Sequence, residues 1–153
     1  MTSPIWPDGR ASPGTSWDLV VADPASWFWR KAGVHEGSAL PGLEQNEFNH
    51  VDLSSAPASH VQVLSHSPVP GGLGFADTTY VALPGKGGVW SSGTSTWALA
   101  MSAGTRLPAS VMHHPVPGVT VPVIDAMKNL YRVFGRGPAG ARHPSEPNVT
   151  DYY

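Results

Sequence analysis

The sequence predicts an α/β fold, a partial parallel sheet flanked by helices, on three observations. β-rich runs and helical patterns succeed one another along the chain, the arrangement that lays helices on a sheet. The strand candidates number only about four, few for a doubly wound sheet, so the sheet reads as half of one. At 153 residues the chain is the size of one domain, long enough to bury roughly two-thirds of its unfolded surface.

The elements follow in order. Residues 1–16 are rich in Pro, Gly and Ser without periodicity and read as a linker or loosely docked lead-in. The apolar run at 18–22, stopped by Asp23-Pro24, is a buried strand. Residues 24–33 read as one to two helical turns, with Pro24 at the first position and Gly33 as the C-cap. Residues 34–47, broken by Gly37, Pro41 and Gly42, read as a loop. The alternation over 60–65 gives a second strand, 78–83 a third and 89–92 a fourth, the last three separated by Pro/Gly turns. Thr94 is placed to N-cap a helix over 95–102. The strongest helix spans 122–134, with Pro122 at its first turn. There Val123, Ile124, Met127, Leu130, Tyr131 and Phe134 recur every three or four residues, and Gly135 follows as a cap. Residues 136–153 are polar and Pro/Gly-rich, expected as a disordered tail or an arm on a partner.

Composition excludes several classes of function. The net charge of −2 leaves no basic footprint for nucleic acid, and the nine Lys and Arg form no run that grips a membrane. There is no Cys, hence no disulfide framework or thiolate metal site. No apolar stretch has the length of a membrane span, and no secretory leader pattern opens the sequence, so a soluble, cytoplasmic protein is expected. Charged residues are 13% of the chain, against about 25% in typical domains. Six Trp alongside so little charge argue for surfaces that something else covers.

Motifs for chemistry are sparse. The seven His include the pair His113-His114, but none are spaced as HxH or HxxxH, and adjacent imidazoles point apart, so no metal site is expected from them. Around Gly93-Thr94-Ser95-Thr96 there is neither a nucleophile elbow nor a phosphate loop, and the plain reading is a strand-to-helix turn. Trp90 and Trp97 read as core.

Several stretches, in order, resemble one family. DLVVADP at 18–24, Trp27-Phe28 and GVHEG at 33–37 are similar to a strand, aromatic turn and GLxxGD loop near the end of the large subunits of dimethylformamidase-like proteins. LPGLEQNEFNHV at 40–51 resembles that family's PGLVGYEVDRV loop, ADTTY at 76–80 its DMTYY strand, and GVWSSGTSTW at 88–97 its GVFNAGSxxW strand-turn-helix. Asn129 matches an Asn usual in the last helix. The resemblance covers about residues 18–135 and implies the C-terminal half of a class I glutamine amidotransferase-like domain. It also implies hydrolysis of small linear amides at an iron ion held by two Tyr and one Glu upstream of the matched region. The iron is then not bound by this chain alone, and a missing N-terminal portion or a partner subunit completes the site. Within this chain the resemblance makes Glu47 the catalytic carboxylate, a general base on a metal-bound water, with Asn46 and Tyr80 in the substrate pocket. The loop has also drifted. The family's acidic residue two places after Glu47 is Asn49, the next basic residue is His50, and Ser38 stands for the Asp after Gly37. Two readings follow: a piece of an amide hydrolase, or an interaction module that kept the fold and lost the chemistry.

Overall fold

The computed structural model describes residues 16–45, 48–54, 58–102 and 119–153. The lead-in apart from Ser16, Asn46 and Glu47, and His113-His114 lie outside them. The parallel sheet between helices does not form. β1 (Ser16–Val20) and β2 (Ala39–Gln45) make one antiparallel pair. β3 (Val61–Pro68), β4 (Phe75–Ala82) and β5 (Gly88–Ser91) make an antiparallel meander in that order. The reason lies in the connections. Residues 69–74 and 83–87 are all that join the meander strands, whereas a parallel return needs a dozen residues or more. The helices α1 (Trp97–Met101) and α2 (Thr120–Phe134) follow the strands instead of alternating with them. The expected half of a glutamine amidotransferase-like sheet is overturned on the same ground.

The segment expected as a loop over 34–47 contains β2, hidden by Pro41 and Gly42. Gly42 takes φ 70°, a conformation open to Gly at little cost. The register of β1 slips between Trp17 and Leu19, and the Asp18 carboxylate receives the Gly42 N–H at 3.4 Å. The strand therefore survives by bulging. A second slip, between Val63 and Ser65, frees the Leu64 carbonyl to accept Trp29 Nε1 at 2.9 Å and the Ala22 and Asp23 amides at 3.0 and 3.3 Å. With the Val21–Ser65 bridge, these bonds tie the β1/β2 pair to β3.

Residues 24–33 form successive i to i+3 turns and no helix. Three consecutive aromatics explain this, because each is wanted in a different direction. Trp27 meets Tyr80 edge-on at 5.0 Å, Phe28 packs on Trp90 and Trp97, and Trp29 turns to Leu64. The five described Trp are buried or half-buried in the protein's own cores, with Trp90 and Trp97 among them as expected. α2 buries Val123, Ala126, Met127 and Leu130 against this core, while Tyr131 stays 64% exposed. Asn129, on the flank of that face, donates to the Phe28 and Arg30 carbonyls at 3.0 and 2.7 Å. This Asn therefore locks the aromatic turn to the helix.

Residues 136–153, expected as a disordered tail or partner arm, run against the meander. Asn148 exchanges side-chain bonds with the Val63 N–H and carbonyl at 2.6 and 3.1 Å, and Ser145 does so with Ala82 at 3.2 and 3.0 Å. The outer edge of β3 is thus covered, and a covered edge cannot pair with another molecule's strand. No helix among the described residues is long and apolar enough to cross a membrane.

Candidate functional site

The site gathers where β2 ends and the chain passes through 46–47 into residues 48–52. Both sides of that passage are pinned. Before it, Thr94 Oγ1 donates to the Gln45 carbonyl at 3.1 Å and receives the Gln45 N–H at 3.4 Å. Thr94 thus anchors the loop instead of capping α1, whose N-cap is Thr96 without a side-chain bond. After it, Phe48 bridges Thr94, the Asn49 N–H reaches the Gly93 carbonyl at 2.9 Å, and the Asp77 N–H reaches the Asn49 carbonyl at 2.8 Å. Asn49 therefore holds the loop through its backbone N–H and carbonyl.

Gly93 makes this stitching possible. Its φ is 74°, and a Cβ there would sit 2.5 Å from the Asp77 carbonyl oxygen. Replacing Gly93 by Ala adds both left-handed strain, about 1–2 kcal/mol, and a clash with backbone that cannot step aside. We expect Gly93→Ala to destabilise the fold by roughly 2–4 kcal/mol in urea titrations. A loss near zero would mean that the turn is not held as described.

Asp77 is the hub. Its Oδ2 accepts the Val51 N–H at 2.8 Å and the Tyr153 hydroxyl, and its Oδ1 faces His66 Nδ1 at 2.8 Å. A carboxylate only accepts, so this contact places the His66 proton on Nδ1. His66 is stacked on Phe75 at 3.8 Å, with Tyr152 and Tyr153 on its other sides. Beside the hub opens a pocket of about 240 Å³ whose polar lining includes Asn49, His50, Asp52, Asp77, Thr79 and Ser91.

Glu44 lies just inside the same loop and is wholly buried. One oxygen receives the Ser67 hydroxyl at 3.5 Å and the other has no partner among the described residues. Burial pushes the carboxyl up to about 8, the nearby Asp77 charge adds to that, and the Ser67 bond only partly offsets it. Glu44 is therefore mostly protonated at neutral pH.

The residues expected at the site divide. Glu47 and Asn46 lie outside the described residues, between the two anchored ends. Tyr80 is fully buried on the opposite face of β4 from Thr79 and Val81, which line the pocket. Its hydroxyl donates to the His143 carbonyl at 2.8 Å, and burial raises it to about 12. Sequence reasoning missed Asp77 and Glu44 as site groups. Asp77 was visible in the ADTTY motif and was read only as strand.

Three of the four described phenols do not suit an iron site of two Tyr and one Glu, and the fourth, Tyr131, is exposed on α2. Tyr80, Tyr152 and Tyr153 each spend the hydroxyl on a protein acceptor, and burial raises all three, which opposes the phenolate such a ligand needs. No cluster of three or more His, Cys, Asp or Glu among the described residues is placed to hold a metal.

The family model described as N,N-dimethylformamidase beta subunit-like, C-terminal, matches residues 9–111. No curated protein and no solved structure matches the chain.

Proposed function

Because the chain belongs to the N,N-dimethylformamidase beta subunit-like, C-terminal family, we propose that it serves an amide hydrolase as the domain that walls the substrate pocket and presents Glu47 to it. The observation that carries this reading is that Gln45 and Phe48-Asn49, the described residues on either side of 46–47, are both anchored, and that Asn49 lines a polar pocket. Anchored flanks leave a short connecting segment less freedom to lose when substrate arrives, which is what positioning a base requires. On this reading Glu47 takes a proton from water as the water oxygen attacks the amide carbon. The C–N bond then breaks and the amine leaves with a proton. Other sequence of the same cytoplasmic enzyme supplies the iron of the family and its ligands.

The second reading, a module without chemistry, draws on a specific observation. The two buried acids nearest the loop are both occupied structurally, Asp77 by three donors and Glu44 by its proton. One experiment separates the two. In the assembled enzyme, Glu47→Gln is expected to lower kcat/KM for a small amide by at least about a hundredfold with an unchanged melting temperature. Undiminished turnover would leave the module reading standing.

A further inference from the structure

A second pocket, of about 180 Å³, lies between the aromatic turn, the end of α2 and the 136–143 segment. Arg30, Arg132, Arg136 and Arg142 all line it, with Asn129, Trp27 and His143. Four of the nine basic residues of an acidic protein, all four exposed to solvent, thus line one small pocket. No Asp or Glu among the described residues lines it, and the ion pairs His66–Asp77 and Lys128–Asp125 lie elsewhere. The carbonyls ending α2 account for cations at Arg132 and Arg136. They do not account for Arg30 and Arg142, which come from separate segments.

Two of the four guanidiniums are also held. Arg142 Nη1 donates to the Arg136 carbonyl at 3.0 Å, and Arg132 Nη1 donates to Asn129 Oδ1 at 3.3 Å. Asn129 is itself fixed to the Phe28 and Arg30 carbonyls. Behind the cavity, Tyr80 fixes the His143 backbone and packs edge-on to Trp27. Like charges gathered on a built wall without counter-charge favour an anion that spans several of them.

We infer that this pocket binds a small anion carrying a phosphate or diphosphate group. A carboxylate occupies one guanidinium fork, whereas a phosphoryl group offers three or more oxygens and about two charges to several forks together. The cavity holds a group of that size and not a folded partner. The inference stands independently of the amide-hydrolase reading, because it uses none of the residues of the 46–52 loop.

The test is calorimetric titration of the full chain with sodium pyrophosphate in about 150 mM NaCl, where diffuse attraction is screened. One saturable site is expected, with pyrophosphate raising the melting temperature. The Arg30→Gln/Arg132→Gln double variant is expected to bind at least about tenfold more weakly, and Arg30→Lys, which keeps charge but not the fork, to fall between. Lys128→Gln, on α2 outside the pocket, is expected to bind as the parent does. Absence of saturable binding would overturn the inference. So would an equal loss in Lys128→Gln, or citrate binding as tightly as pyrophosphate.

Discussion

Glu44→Gln is expected to abolish a fall in stability of roughly 4–5 kcal/mol that the parent undergoes between about pH 4.5 and 8. The folded carboxyl keeps its proton up to about 8, against 4.5 for the free side chain. Below pH 4.5 both states are protonated and stability is at its maximum. Between the two values unfolding releases the proton, so stability declines as pH rises; above about 8 the whole contribution is gone. The cause is a carboxyl sealed off with a single weak hydroxyl partner, where desolvation outweighs everything nearby. Urea melts of parent and variant from pH 4.5 to 8.5 give the comparison, the shared titrations cancelling in the difference. Parallel curves would mean that Glu44 is wetter or better paired than described.

Asp77→Ala is expected to cost about 3–5 kcal/mol, the range for removing one partner from a buried polar network. The Val51 N–H, His66 Nδ1 and the Tyr153 hydroxyl would all lose their acceptor at once. Asp77→Asn, of the same shape, can still accept and is expected to lose less than the Ala variant. Amide hydrogen exchange makes the result local: Val51 should exchange far faster in the Ala variant, while Leu130 on α2 should change only with global stability. A uniform response along the chain would show that Asp77 is an ordinary core residue and not the post of the 48–52 loop.

The two variants also show what sequence could and could not deliver. α2 and the meander strands were legible, because period and turn chemistry are local properties of the chain. The Pro122 start and the apolar spacing through Leu130 place α2 to within two residues. Sheet direction was misread although the short Pro/Gly links before Phe75 and Gly88 already forbade a parallel return. β2 was lost because Pro41 and Gly42 normally mark a break, and the pairing with β1 that carries the strand past them, bulged at Asp18, is not a local property. The site was harder still. Glu44 and Glu47 look alike in one loop, and nothing local says that one is sealed among β-strands. Asp77 and Tyr153 are 76 positions apart, and no periodicity connects such residues. Asn129 stands between these cases: its family motif was visible in sequence, but its task, two carbonyls about a hundred residues upstream, needed the fold.

The covering of β3 by the 143–153 segment also bears on how the protein comes to be folded. Its bonds join residues separated by 63 to 130 positions, from Tyr80–His143 to Ala22–Tyr152. Contacts this distant close slowly, since the chain surrenders its freedom before they reward it. During synthesis the meander would emerge with one flank bare and remain so until Asn148 left the ribosome. In that interval the uncovered edge of β3 is open to mispairing with neighbouring nascent chains.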